Sequence, residues 1–170
     1  MKIIRQIIVA TCLLAGGILA QENTPSRFED FPVTQRYSGR PVSVNLSSHP
    51  QARVFRTKLR ENARDGVNFA GHYVLATWGC GSACTQLAII DARTGKVYFP
   101  PELSKIIQFD LHKLRGERPL QFRIDSRLLI AVGNKNEEFD TPPGIFPTEK
   151  RYYYVWQNNR LKLIEASAIK

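Results

Sequence analysis

From residue 69 onward the chain is a succession of short runs rich in β-branched and aromatic residues, each closed by a turn signal, and this pattern limits the fold more than any other feature. The runs cover residues 69–78, 85–92, 96–99, 120–124, 128–133, 151–156 and 160–165. Such side chains suit a pleated surface, so each run reads as a strand. The links carry turn chemistry. Gly95, within Asp91-Ala92-Arg93-Thr94-Gly95-Lys96, offers the positive φ that a tight hairpin needs, Asp125-Ser126 separates two runs, and Asn158-Asn159 tolerates the left-handed region. Antiparallel β-meanders are therefore expected. The segments 72–98 and 128–164 share a rhythm of strand, loop, strand, tight turn, strand, as two propeller-like three-stranded units would; ordinary meander geometry produces the same rhythm.

Ahead of this region, Pro41 to Leu46 alternates apolar and polar residues and reads as a first strand. A capping Ser47 or Ser48 and an early Pro50 then precede Ala52, Phe55, Leu59 and Ala63 at helical spacing, with Gly66 just past the end. One main helix near residues 50–64 follows. Arg53, Arg56, Arg60 and Arg64 form a stripe about 100° around that helix from the apolar one, which is either an anion-binding edge or, more simply, a solvated flank. Leu103, Ile106, Ile107, Leu111 and Leu114 suggest a short helix within residues 102–116, and the Pro-rich acidic stretch 134–150 reads as a long loop. The fold class is a single α+β domain over residues 33–170, mostly antiparallel, with the helix packed on one side of the sheet.

The first residues stand apart from the fold. Lys2 and Arg5 precede an apolar run from Ile7 to Ala20, the pattern of a secretory signal cut after Ala20. The run is shorter than the roughly 20 residues of a spanning helix and contains Gly16-Gly17. Lipidation at Cys12 fits poorly, because Thr11 precedes it. Residues 21–32, with Pro25 and Pro32, are an irregular lead-in. The expected product is exported, periplasmic or extracellular, with no transmembrane segment after cleavage.

Charge narrows the partners. The chain has 24 Lys and Arg against 15 Asp and Glu, a balance that draws it to an anionic envelope polymer, a lipid headgroup or an acidic protein. No basic block or aromatic RNA-binding signature argues for nucleic acid. A monomer is expected.

Loss of the signal leaves Cys80 and Cys84, and two cysteines in an oxidising compartment make one disulfide. Glycines around Cys80 permit the turn that closure needs. Two thiolates at this spacing would supply only half of a tetrahedral zinc site, so no metal and no cofactor is expected. The surrounding sequence, Asn68-Phe69-Ala70-Gly71-His72-Tyr73 and Trp78-Gly79-Cys80-Gly81-Ser82-Ala83-Cys84, resembles a family of uncharacterised exported bacterial proteins that share the Asn-Phe-Ala-Gly-His-Tyr and Trp-Gly-Cys-Gly-x-x-Cys pattern. The resemblance covers residues 67–99 and implies no established activity.

Two functional readings follow. In the first, the 79–84 loop is a rigid, exposed hairpin tip, and His72, Tyr73, Trp78, Gly79, Gly81 and Ser82 form the contact surface of a binding or inhibitor protein; stiffness lowers the entropy lost on association. In the second, Cys80 or Cys84 is a nucleophile or redox thiol with His72 as base and Asp91 as orienting group, in a periplasmic hydrolase or thiol-redox enzyme. The second cysteine weighs against the enzyme. Tyr152, Tyr154 and Trp156 share one face of their strand, and Tyr153 and Val155 the other, so an aromatic platform competes with plain sheet packing, the preferred reading. His49 and His112 suggest only capping or surface roles. The chain has no phosphate-cradling glycine loop, His-Glu-x-x-His or Gly-x-Ser-x-Gly motif.

Overall fold

The computed structural model describes residues 25–135 and 148–169. The expected signal, residues 1–20, and residues 136–147 of the expected loop lie outside the described residues. A 3-10 turn at Phe28–Asp30 leads to two helices, α1 (Pro50–Val54) and α2 (Arg56–Arg64). The strands follow: β1 (Tyr73–Gly81), β2 (Cys84–Asp91), β3 (Val97–Tyr98), β4 (Lys105–Ile107), β5 (Leu120–Phe122), β6 (Leu128–Lys135), β7 (Lys150–Gln157) and β8 (Arg160–Ala168). They form one antiparallel sheet in the order β1-β2-β4-β6-β7-β8, with β3 beside β2 and β5 beside β6. No described helix is long and apolar enough to cross a membrane.

β4 joins the two meanders. Its Ile106 pairs with Thr85 of β2 on one side and Lys135 of β6 on the other. The sheet folds over on itself around this short strand, so one face of β1 and β2 meets one face of β6, β7 and β8. Tyr73, Leu75, Leu87, Ile89, Leu129, Ala131, Tyr152, Tyr154 and Trp156 fill the space between. Side-chain alternation sends Val74, Ala76, Trp78, Ala88 and Ile90 to the opposite face of the first half, where Ala52 and Leu59 from the helices cover them. On the second half, Leu128, Ile130, Val132, Tyr153 and Val155 pack with Leu114 and with Phe28 and Phe31 from the lead-in. The predicted division of β7 is therefore observed, and all five of its aromatic and apolar side chains are buried. They are core, not a platform for a ligand.

Several local expectations are corrected. The single helix is two, because Phe55 leaves helical geometry (φ −95°, ψ 20°) and packs its ring on Trp78 and Phe99, with centroids 4.9 and 6.0 Å away. The cap is His49, whose Nδ1 accepts from Gln51 N at 3.2 Å. Ser48 instead uses its hydroxyl to bond Asn45 O and Val97 N. Residues 41–46 form no strand; Asn45 alone bridges to Lys96, while Val42 N and Asn45 N donate to Ala92 O and Gly95 O. Residues 102–116 hold β4 and turns rather than a helix. Their apolar residues do not share a face: Leu103 and Ile106 enter the central cluster, and Leu114 enters the outer one. The hairpin at Asn158-Asn159 is as expected, with φ of 51° and 59°.

β1 is an edge strand whose outward backbone groups are largely occupied. Tyr73 exchanges hydrogen bonds with Phe69, Leu75 bonds the side chain of Asn68, and Thr77 bonds that of Asn62. Side-chain amides here do what a neighbouring strand would do, and they deny that edge to a second sheet.

Candidate functional site

The β1–β2 hairpin ends in an exposed tip. Gly81 pairs with Cys84, so Ser82 and Ala83 make the turn, with φ of 137° at Gly81 and 54° at Ala83. The register shifts between Gly79 and Gly81, which places Cys80 in a bulge. The disulfide Cys80–Cys84 closes across this bulge with the Cα atoms 5.1 Å apart. Residues 79–83 are all exposed. One side of the tip is held down: Gln108 N donates to Ala83 O at 3.0 Å, and the buried Gln108 amide donates to Glu117 O and Val132 O. Beneath the tip lies a hollow of about 360 Å³, bounded by Thr77, Trp78, Gly79 and Thr85 on one side and Arg118 and Leu120 on the other.

The remaining residues expected on the contact surface lie elsewhere or are covered. Trp78 is buried against Phe55, and its indole N–H donates to Gln86 Oε1 at 3.1 Å. Tyr73 is buried between the sheet halves, edge-on to Trp156, and its hydroxyl donates to Asn159 Oδ1 at 3.4 Å. His72 directly precedes β1 while the cysteines lie at its far end, about 26 Å away at the rise of an extended chain. The Cys–His pairing required of the thiol enzyme does not form.

His72 is instead bound to its own surroundings. Arg93 Nη2 lies 2.5 Å from His72 Nε2. A guanidinium can only donate, so Nε2 is the acceptor and the ring is neutral with its proton on Nδ1. Burial, followed by the positive charge of Arg93, lowers the His72 pKa from its ordinary value, and Asp91 opposes the shift. Asp91 in turn accepts from Arg93 N at 2.9 Å and faces the guanidinium at 3.8 Å. Of the proposed catalytic set, Asp91 and His72 are thus linked through Arg93, and neither reaches a sulfur.

This corner explains the Asn68–Tyr73 motif in structural terms. Ala70 and Gly71 take φ of 44° and 81° in the turn before β1. A Cβ on Gly71 would lie 2.4 Å from Gln35 O, so segment 33–37 passes where only glycine leaves room. Gly71 N donates to Ile124 O and Gly71 O accepts from Tyr37 N, which ties segment 33–37 and the β5–β6 turn to the start of β1.

The arginine stripe divides within α2, between Arg56 and Arg60. Arg60 and Arg64 face a groove with Arg40, whereas Arg53 and Arg56 lie outside it, Arg56 donating to Arg53 O at 3.4 Å. Arg40 escaped the sequence reading because only the folded chain brings residues 38–44 beside α2. Glu149 escaped it too: it is 4% exposed, and its Oε1 accepts from Phe109 N at 2.6 Å and Asp110 N at 3.2 Å. His112 lies in the hollow beside this carboxylate. Among the described residues, no cluster of three His, Cys, Asp or Glu side chains is arranged to hold a metal ion.

No protein-family model, no curated protein and no solved structure matches this chain.

Proposed function

We propose that the chain is an exported, disulfide-stapled binding or inhibitor protein of the bacterial envelope, which contacts its partner through the tip at residues 79–84. The observation that carries this reading is the run of exposed residues 79–83, stapled by Cys80–Cys84 and pinned from one side by Gln108. A loop held in this way loses little conformational freedom when it enters a cleft, so its contacts translate efficiently into affinity. Ser82 offers a hydroxyl at the apex, and the glycines on either side of Cys80 let a partner approach the backbone closely. Arg118, across the hollow, supplies a positive charge where the tip joins the body. The separation of His72 from the disulfide weakens the competing hydrolase or thiol-redox reading, and tip contact is the reading the geometry favours.

The test is site-specific crosslinking in envelope extracts. A photoreactive side chain at Ser82 is expected to form one discrete adduct that disappears in the Cys80→Ser, Cys84→Ser variant. The same group at exposed Lys162 is expected to form none. Equal labelling from both positions, or from neither, would sink the proposal.

A further inference from the structure

A groove of about 760 Å³ runs between α2 and the irregular segment 38–44. Arg40, Arg60 and Arg64 line it, all exposed, together with Pro41, Val42, Val44 and Ala63. No Asp or Glu lines the groove. Elsewhere on the surface, Arg27, Arg36, Arg93, Arg123 and Arg151 each pair with a carboxylate. Among the described residues, Arg40, Arg60 and Arg64 have no such partner, nor do Arg53, Arg56, Arg118 and Arg160; what sets the first three apart is that they share one cleft. The C-terminal end of α2 contributes a partial negative charge of about half a unit, which three guanidiniums outweigh.

The floor of the groove adds a second kind of information. Segment 41–44 forms no strand but is tied to the turn after β2: Val42 N and, just beyond, Asn45 N donate to Ala92 O and Gly95 O. The backbone N–H of Ser43, between them, has no partner among the described residues. Apolar side chains, an open backbone donor and unpaired guanidiniums therefore lie within one cleft. A polyphosphate or sulfated polymer would satisfy the arginines and leave Val42 and Val44 uncovered. A peptide meets all three, because its carboxylates suit the planar guanidinium fork, its backbone carbonyls suit the open N–H and its apolar side chains cover the valines.

From this juxtaposition we infer that the groove between α2 and residues 38–44 binds an extended peptide segment of a partner protein that alternates acidic and apolar side chains. The site is separate from the tip: Ala92 and Gly95 lie beyond the end of β2 opposite Cys84, so β2 itself, about 23 Å of extended chain, stands between them.

Fluorescence anisotropy with the mature protein tests this directly. The probe is a labelled peptide alternating Glu and Val, and the control has Gln in place of Glu. The Glu peptide is expected to bind, to weaken by about tenfold in the Arg40→Ala, Arg60→Ala, Arg64→Ala variant, and to weaken again between about 50 and 500 mM salt. All three positions are exposed, and an unchanged melting temperature would confirm that the variant is folded. Arg60→Glu is the second variant, expected to weaken binding beyond Arg60→Ala. Equal binding by the Gln control, undiminished binding by the triple variant, no binding by the wild type, or preferential displacement by inorganic polyphosphate would each overturn the inference.

Discussion

The side-chain amide of Asn68 hydrogen-bonds both backbone groups of Leu75, accepting from its N–H at 2.7 Å and donating to its carbonyl at 3.3 Å. Leu75 is 1% exposed, so its backbone groups depend on the half-buried amide for their partners. Asn68→Ala is expected to destabilise the protein by about 1–3 kcal/mol, the cost of stranding a buried donor and acceptor. Asn68→Asp keeps the acceptor and should cost less than alanine in urea unfolding near neutral pH. Equal stability of all three proteins would show that the edge of β1 does not need this partner.

Gly71 is expected to be the least replaceable glycine at this junction. Its φ of 81° disfavours any side chain, and Gln35 O occupies the place of a Cβ. Gly71→Ala should lose about 1–3 kcal/mol, with segment 33–37 displaced from the β5–β6 turn. Gly66→Ala, at φ 92° with nothing within 4 Å, should pay only the backbone strain. A thermal-melt comparison in which Gly66→Ala is the more damaging would contradict the packing argument.

The disulfide makes a countable prediction. Protein without residues 1–20, and so without Cys12, should show no free thiol when denatured and two after reduction. The loop between Cys80 and Cys84 is short, so the Cys80→Ser, Cys84→Ser variant should lose only about 2 kcal/mol of stability. Two free thiols in freshly exported protein would remove the staple on which the proposed contact depends.

His72 gives a pH dependence of known sign. Its pKa is lower in the folded protein than in the unfolded chain, so the unfolded chain binds the extra proton first as pH falls. The stability tied to neutral His72 is complete above pH about 6.5 and is lost as pH falls through the folded-state value. Wild type should therefore lose more melting temperature than His72→Gln between pH 7.5 and 5.5, both ~1 unit from the ordinary histidine pKa. Parallel losses would mean that burial and Arg93 together do not hold the ring neutral.

Much of the strand framework was legible because its cause is local. Alternation in Tyr152-Tyr153-Tyr154-Val155-Trp156 reports directly which face each side chain takes, and Gly95 and Asn158-Asn159 report their turns through backbone preference alone. Residues 102–116 were misread because spacing cannot say which neighbour an apolar residue will meet. Leu103 and Leu114 are both buried, yet in different clusters. The candidate site was legible in part: the Cys80–Cys84 staple follows from two cysteines close together, whereas the burial of Tyr73 and Trp78 depends on Trp156 and Phe55, far away in the chain.

By itself, then, the sequence determined what nearest neighbours decide: strand periodicity, the tight turns, the two-cysteine staple and the helix stop at Gly66. Tertiary structure decided what requires distant segments to meet. It inserted β4 between β2 and β6, buried Tyr73 against Trp156, and set Arg40 beside Arg60 and Arg64. The physical reason is range. Backbone preference and side-chain alternation act over a few residues, whereas burial and charge pairing act between whichever surfaces the fold brings into contact.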